Sequence, residues 1–295
     1  MPELQSPQKL RGVLLVASGV LIISFDALLV RLAAVDGWNV AFWRGVFMTM
    51  SMLPLCWRHS SKAKSTVVSR RGLWLTTALM ATSTLALVLA FTLTKAANAV
   101  VILSASPLFA AIFSQIFLRE RCATKTWLAI FVCISGVVWV MSGSLGEGSL
   151  AGDMLAVVSA LCIGGYFTAY RCYPEIPPTS VIIRAGLLLA AAAAFLSTPF
   201  SLPPASYGWL MISGLIQMPV ASLLMAASTR YLPAAEVSLF LLLETILAPI
   251  WVWWVIGELP PATTLAGGVL ILFTLIIHTL AGLYEKNSFS PEAET

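Results

Sequence analysis

Apolar runs of about twenty residues recur from one end of this 295-residue chain to the other, and no stretch between them is long enough for a soluble domain. A run of that length matches the roughly 30 Å hydrocarbon core of a bilayer at the 1.5 Å rise of an α-helix. Charged residues make up 10% of the chain against 59% hydrophobic, so lipid rather than water is the solvent such a surface suits. Lipid offers no partner to a backbone N–H or C=O, which leaves the helix as the state open to these runs. The sequence predicts an all-α integral membrane protein.

Charged residues and Pro, Gly or Ser breaks divide the chain into ten predicted transmembrane helices, 12–34, 38–57, 72–93, 96–117, 126–143, 152–172, 179–200, 206–228, 234–256 and 262–283. The first run is too long for the apolar region of a signal peptide, carries Asp26 and has no small-residue cleavage site after it, so it is expected to be retained. Of the 17 basic residues, 13 fall in the segments that lie inside if the first helix starts there. These are Lys9 and Arg11, the five of the loop 58–71, Arg119, Arg121 and Lys125, Arg171, Arg230 and Lys286. Lys95 alone falls outside, and Arg31, Arg44 and Arg184 fall within spans. Basic residues stay cytoplasmic in short loops, so both termini are expected in the cytoplasm and the protein in the cell (inner) membrane. The same rule accounts for the basic loop and the net charge of +4 without a nucleic-acid partner.

Shifting the chain by 140 positions pairs Gly12 with Gly152, Leu15 with Leu155, Arg31 with Arg171 and Arg44 with Arg184. Shifts of 135 and 138 pair Trp74 with Trp209, Thr94 with Thr229, and Glu120 with Glu258. The chain thus reads as two five-helix copies, 1–143 and 151–284, followed by a tail, 285–295. Five is odd, so the copies cross in opposite senses. Inverted repeats of this kind are a common transporter architecture, with the substrate site near midplane between them.

The stretch SPLFAAIFSQIFLRERCATKTWLAIFVCISGVVWVM and its counterpart LLLETILAPIWVWWVIGELPPATTLAGGVLILFTLII resemble the two EamA domains of the drug/metabolite transporter superfamily. The family pattern is a Pro early in the fourth helix of each half, a Glu about thirteen residues later, and a final helix rich in small residues. Here these are Pro107, Glu120 and Glu258. Where the family has Leu-Glu-Pro, this chain reads Leu243-Glu244-Thr245, with Pro249 four residues on. The resemblance covers nearly the whole chain and implies a ten-helix transporter. It also implies that the fifth and tenth helices, with Gly136, Gly143, Gly267 and Gly268, lie outside the central cavity and offer homodimer contacts.

A charge inside a span is expensive, so each is placed by depth. Arg31 and Arg171 lie near helix ends and read as interfacial anchors. Arg44 and Arg184 lie deeper and are repeat mates; each serves equally well as a structural partner of carbonyls or an acid, or as a substrate contact. Asp26 lies about 16 Å from the outer turn, near midplane. Its repeat partner is Tyr166, so the shared scaffold does not require the acid; it is assigned to substrate or coupling, with an ion pair to Arg44 on the next helix as the structural alternative. Glu244 falls at similar depth, and its position in the family pattern implies gating or helix pairing. Two buried carboxylates make proton coupling a further expectation.

Phe25, Tyr166 and Tyr170 are cavity candidates, because the first and sixth helices should face each other across the pseudo-axis. Trp38 and the group Trp251 to Trp254 read as interfacial belt. Asn98, Gln115 and Gln217 offer hydrogen bonds to substrate or between helices. His59 and His278 are the two histidines, too few for a multi-histidine metal site, and no motif calls for a cofactor. The five cysteines have no paired spacing. Together these features predict a secondary-active transporter, in the export direction, of small organic metabolites that are amino-acid-like, amphipathic or drug-like. The alternative is an intramembrane sensory or binding module or a lipid-modifying enzyme.

Overall fold

A computed structural model describes residues 7–60, 69–118, 124–143, 150–228, 231 and 234–288. Among these the regular elements are helices, and they follow the predicted runs with three interruptions. The first run divides into α1 (Pro7–Ile23) and α2 (Asp26–Ala33), followed by α3 (Gly37–Ser60) and α4 (Arg70–Leu93). The fourth run divides into α5 (Ala96–Leu103) and α6 (Ser106–Leu118), and α7 (Thr124–Ser142) ends the first half. In the second half come α8 (Leu150–Cys172), α9 (Pro178–Ala194) and α10 (Pro204–Met211). A π-helical stretch, Ile212–Gln217, leads into α11 (Met218–Ser228), then α12 (Ala234–Ile256) and α13 (Ala262–Ser288). Arg119, Glu120, Arg121, Arg230, residues 61–68 of the basic loop and the tail from 289 lie outside the described residues, as do the side chains of Arg171 and His278.

Each interruption has a local cause. Pro107 has no N–H to give Leu103, so α5 stops there and α6 restarts with proline in its first turn, where the missing donor is harmless. The hydroxyl of Ser104 turns back to the Val101 carbonyl at 2.6 Å. At the α1–α2 break, Ser24 donates to the Leu21 carbonyl at 2.7 Å, and Gln217 Nε2 donates to the carbonyls of Ile22 and Ile23 at 3.3 and 3.2 Å. Backbone groups freed in mid-membrane are therefore taken up by side chains. The seventh predicted run ends early, at Ala194, because Pro199 and Pro203 hold the following segment out of helix.

Among the described residues, five stretches are long and apolar enough to cross a bilayer by themselves: Leu10–Ala33, Arg70–Leu93, Ala96–Phe117, Leu150–Tyr170 and Pro204–Met225. Shorter apolar helices run over Pro178–Ala194, Leu243–Ile256 and Ala262–Thr274. The surface is apolar where a water-soluble protein is polar: Phe131 is 70% exposed and Trp254 77%, while Asp26, Arg44, Asp153 and Thr76 are buried. A fold of that polarity belongs in lipid, and the chain is a multi-pass membrane protein.

The packing is symmetric under exchange of the halves. α3 packs on α9 and α7 on α13, each pair being repeat mates. The pairing of α4 with α8 is matched by those of α11 with α1 and α10 with α2, and that of α6 with α8 by α12 with α1 and α2. The halves therefore interlock, with the first run of each seated against the third and fourth runs of the other.

Where α3 crosses α9 the backbones nearly touch. A Cβ on Gly45 would meet the Gly186 carbonyl oxygen at 2.5 Å and the Ala190 nitrogen at 2.6 Å, and backbone atoms of packed helices cannot yield cheaply. Gly45→Val is expected to destabilise the fold by about 1–3 kcal/mol. Gly208→Ala, into open space, serves as the control and should change nothing. Thermal unfolding of the two purified variants in detergent measures the difference, and equal midpoints would refute the crossing.

The glycines expected to serve a homodimer are occupied inside the chain. A Cβ on Gly136 would strike Ile271, one on Gly143 would strike Thr263, and one on Gly267 would strike Val140. They set the close approach of α7 to α13, and Gly268 faces Val101 of α5.

Candidate functional site

The α1–α2 break places Asp26 at the first position of α2, 2% exposed, with its carboxylate in the first turn where the helix dipole favours negative charge. One run on, α3 carries Arg44, which is fully buried. The two side chains meet in a bidentate pair, Arg44 Nη1 to Asp26 Oδ2 at 3.0 Å and Arg44 Nη2 to Asp26 Oδ1 at 2.5 Å. Nη2 also donates to Ser213 Oγ at 2.9 Å. Parallel N–H···O contacts suit the planar guanidinium, and in a low dielectric such a pair holds only if both partners are well hydrogen-bonded. Arg44 Nε has no partner among the described residues.

Ser213 belongs to the π-helical stretch of the second half, so the pair ties a broken helix of one repeat to a distorted helix of the other. The contact depends on Gly214: a Cβ there would sit 2.6 Å from Phe47 Cβ and 3.3 Å from Arg44 Cα. Stretches of π-helix inside α-helices are common at functional sites.

α12 supplies the other wall. Trp251 stacks on Phe25, ring centroids 4.9 Å apart and planes 15° from parallel, and its indole N–H donates to Ser24 Oγ at 3.0 Å. Two turns earlier on the same face, Glu244 is 9% exposed, on a helix that packs against α2 and so against the element that begins with Asp26. Trp251 thus corrects the interfacial-belt expectation. Trp253 and Trp254 do face outward, but the 3.6-residue period turns Trp251 to the break.

The remaining candidates divide. Tyr166 and Tyr170 are in edge-to-face contact at 4.9 Å and pack with Ile23, Met48 and Met218 in a second apolar cluster that reaches the end of α1. The structure thus brings Asp26, Arg44, Glu244 and Phe25 together, with the tyrosines alongside. Arg184 does not join them: half-buried, it donates from Nη1 to the Ser180 carbonyl of its own helix at 3.2 Å. Its sequence mate Arg44 finds an acid in Asp26, and Arg184 has no such partner among the described residues because the second half carries Tyr166 where the first has Asp26. Asn98 is elsewhere too, buried on α5 and accepting from the Thr264 hydroxyl of α13, in the helix-joining role. Gln217 also joins helices, through the carbonyls of α1.

Arg31 corrects the anchor expectation. Its Nη2 donates to the Thr94 carbonyl at 2.6 Å and pairs with Glu258 at 3.2 Å. Glu258 accepts the Ala96 backbone N–H at 2.8 Å, capping α5, and Thr94 Oγ1 donates to the buried Asp153 at 2.6 Å. Four chain segments, two from each half, are clasped at one end of the bundle. Nearby, Trp43 Nε1 and the Tyr207 hydroxyl both donate to the Pro199 carbonyl, and Asn39 Oδ1 accepts from the Thr198 N–H, pinning the segment between α9 and α10 to α3.

Two apolar cavities, about 290 Å³ between α5, α6, α7 and α8 and about 410 Å³ between α5, α12 and α13, are lined by none of the eight candidate residues.

The sequence profile of the EamA-like transporter family matches the chain twice, over residues 10–142 and 150–280. One solved protein structure, 15% identical, superposes with a TM-score of 0.66 over 94% of this chain and 99% of its own, a likeness of fold. A comparison with curated protein sequences gives no match.

Proposed function

The chain belongs to the EamA-like transporter family, a membrane transporter of the drug/metabolite type, and on that premise we propose that it is a secondary-active exporter of small organic metabolites. In this reading the chain crosses the cell (inner) membrane ten times, its two repeats are inverted, and both termini are cytoplasmic. The halves rock about a central site so that it opens to one side at a time. The observation that carries the reading is the three-way tie of Asp26, Arg44 and Ser213. It joins the repeats where one helix is broken and another is π-distorted, the type of discontinuity around which transporters build midplane sites. The clasp of Arg31, Glu258 and Thr94 supports the same reading. If the first helix starts inside, all its members are at the outer end, where a barrier is needed when the site opens inward. A homodimer through α7 and α13 would use their outward faces, Phe131 and Val138 on one and Val269 and Phe273 on the other, since the glycines face inward.

Counterflow tests this. Purified protein in liposomes preloaded with candidate metabolites should show saturable exchange of external label, steeper under an imposed pH gradient if transport is proton-coupled. Binding or product formation without net flux, for every solute, would point instead to a sensor or an enzyme.

A further inference from the structure

Among the described residues, the charges around the α1–α2 break do not balance. Asp26 and Arg44 neutralise each other, both carboxylate oxygens being taken by the guanidinium, whose remaining contact is the neutral Ser213. Glu244 is the third ionisable group there. Its residue is 9% exposed, and no hydrogen bond or ion pair reaches it from another described residue. Counted as ionised, the three carry a net charge of minus one. An uncompensated carboxylate at this depth in a bilayer is costly, so such residues mark places where something positive arrives.

The surroundings say what kind. Glu244, Ala248 and Trp251 succeed one another at helical spacing on one face of α12, and Trp251 fixes that face against Phe25 and Ser24. The carboxylate is therefore directed to the break within about two helical turns of a stacked aromatic pair. Gln217 Oε1, which is buried, is a further acceptor without a partner among the described residues; its amide nitrogen is taken by Ile22 and Ile23. An ammonium group donates up to three hydrogen bonds and accepts none, and aromatic faces attract cations as well as apolar groups.

We propose that Glu244 is the counter-ion for a singly charged organic amine, held at the α1–α2 break with its apolar part against Phe25 and Trp251. This rests on the transporter reading and narrows its substrate to cations, against the zwitterions and anions that the family assignment leaves open.

The test uses the full-length protein and three probes sharing one phenyl group and differing in charge: phenethylamine, phenylalanine and 3-phenylpropionate. Binding in detergent is read by isothermal titration. Phenethylamine should bind at least about tenfold more tightly than phenylalanine, and 3-phenylpropionate should not bind. Glu244→Gln should weaken the amine by at least about tenfold, the equivalent of one charge contact. Glu244→Asp should retain part of it, and the unfolding midpoint of each variant shows that the fold survives. A preference for 3-phenylpropionate, equal amine affinity in Glu244→Gln, or binding of none of the three overturns the proposal. Flux separates the two readings: amine binding without counterflow would overturn the transporter and leave the site standing. Counterflow of a zwitterion or anion that is indifferent to Glu244→Gln would do the reverse.

Discussion

Asp26→Leu is expected to destabilise the protein by about 3–5 kcal/mol, the cost of breaking a buried ion pair by removing one partner. Arg44 is fully buried, and a guanidinium does not lose its proton to escape the penalty. The Ser213 hydroxyl alone would be left to solvate it. The double variant Asp26→Leu/Arg44→Met removes both charges, so no charge is left buried without its partner and most of the lost stability should return. The comparison is made on unfolding midpoints in detergent; a double variant no more stable than the single would refute the pairing. The double variant then separates fold from function. If it folds and exchanges solute at the normal rate, the pair is scaffold. If it folds and does not, the pair belongs to the transport cycle.

The second large effect concerns the outer clasp. Glu258→Ala takes away the acceptor of both the Ala96 N–H and the Arg31 guanidinium, so the α4–α5 turn and the ends of α2 and α12 lose their common partner. If the clasp closes the outer end during alternating access, its loss should move the equilibrium toward the outward-open state by about 5–150-fold, the span of ordinary coupling energies. A cysteine replacing Ala33, fully buried beside Arg31, reports this in a background without native cysteines. Its labelling by a membrane-impermeant maleimide should accelerate in Glu258→Ala and less in Glu258→Gln, since an amide oxygen still accepts from Ala96. Unchanged labelling would mean that the network only staples the repeats together.

The pieces of this site were unequally visible in the linear chain. Asp26 stood out because the duplication puts Tyr166 at the matching position, and its pairing with Arg44 was open to a spacing argument, since the two lie on consecutive runs joined by a short turn. Glu244 is marked by its depth and by its place in the family pattern, but neither says what it faces. Trp251 carries the same interfacial signature as its neighbours, because composition at a helix end does not distinguish the inward residue from the outward ones. Depth alone makes Arg31 an anchor, while its partners Thr94 and Glu258 lie 63 and 227 residues away. Arg184 shows the opposite failure: sequence symmetry suggested a common role with Arg44, but a guanidinium takes the partners within reach, here a carbonyl of its own helix.

The sequence by itself determined that this chain is helical and membrane-embedded and that it is built twice. These properties follow from run length, hydropathy, charge placement and spacing, all written locally along the chain and summed over many residues. Only the tertiary structure decided where helices break and, among the described residues, which buried charges meet a partner. Each of those depends on one or two contacts between runs far apart in sequence: Gln217 on the carbonyls of α1, Ser213 on Arg44, Trp251 on Ser24. In a lipid core, where an unmet polar group has no water to turn to, those few contacts set the energetics of the site.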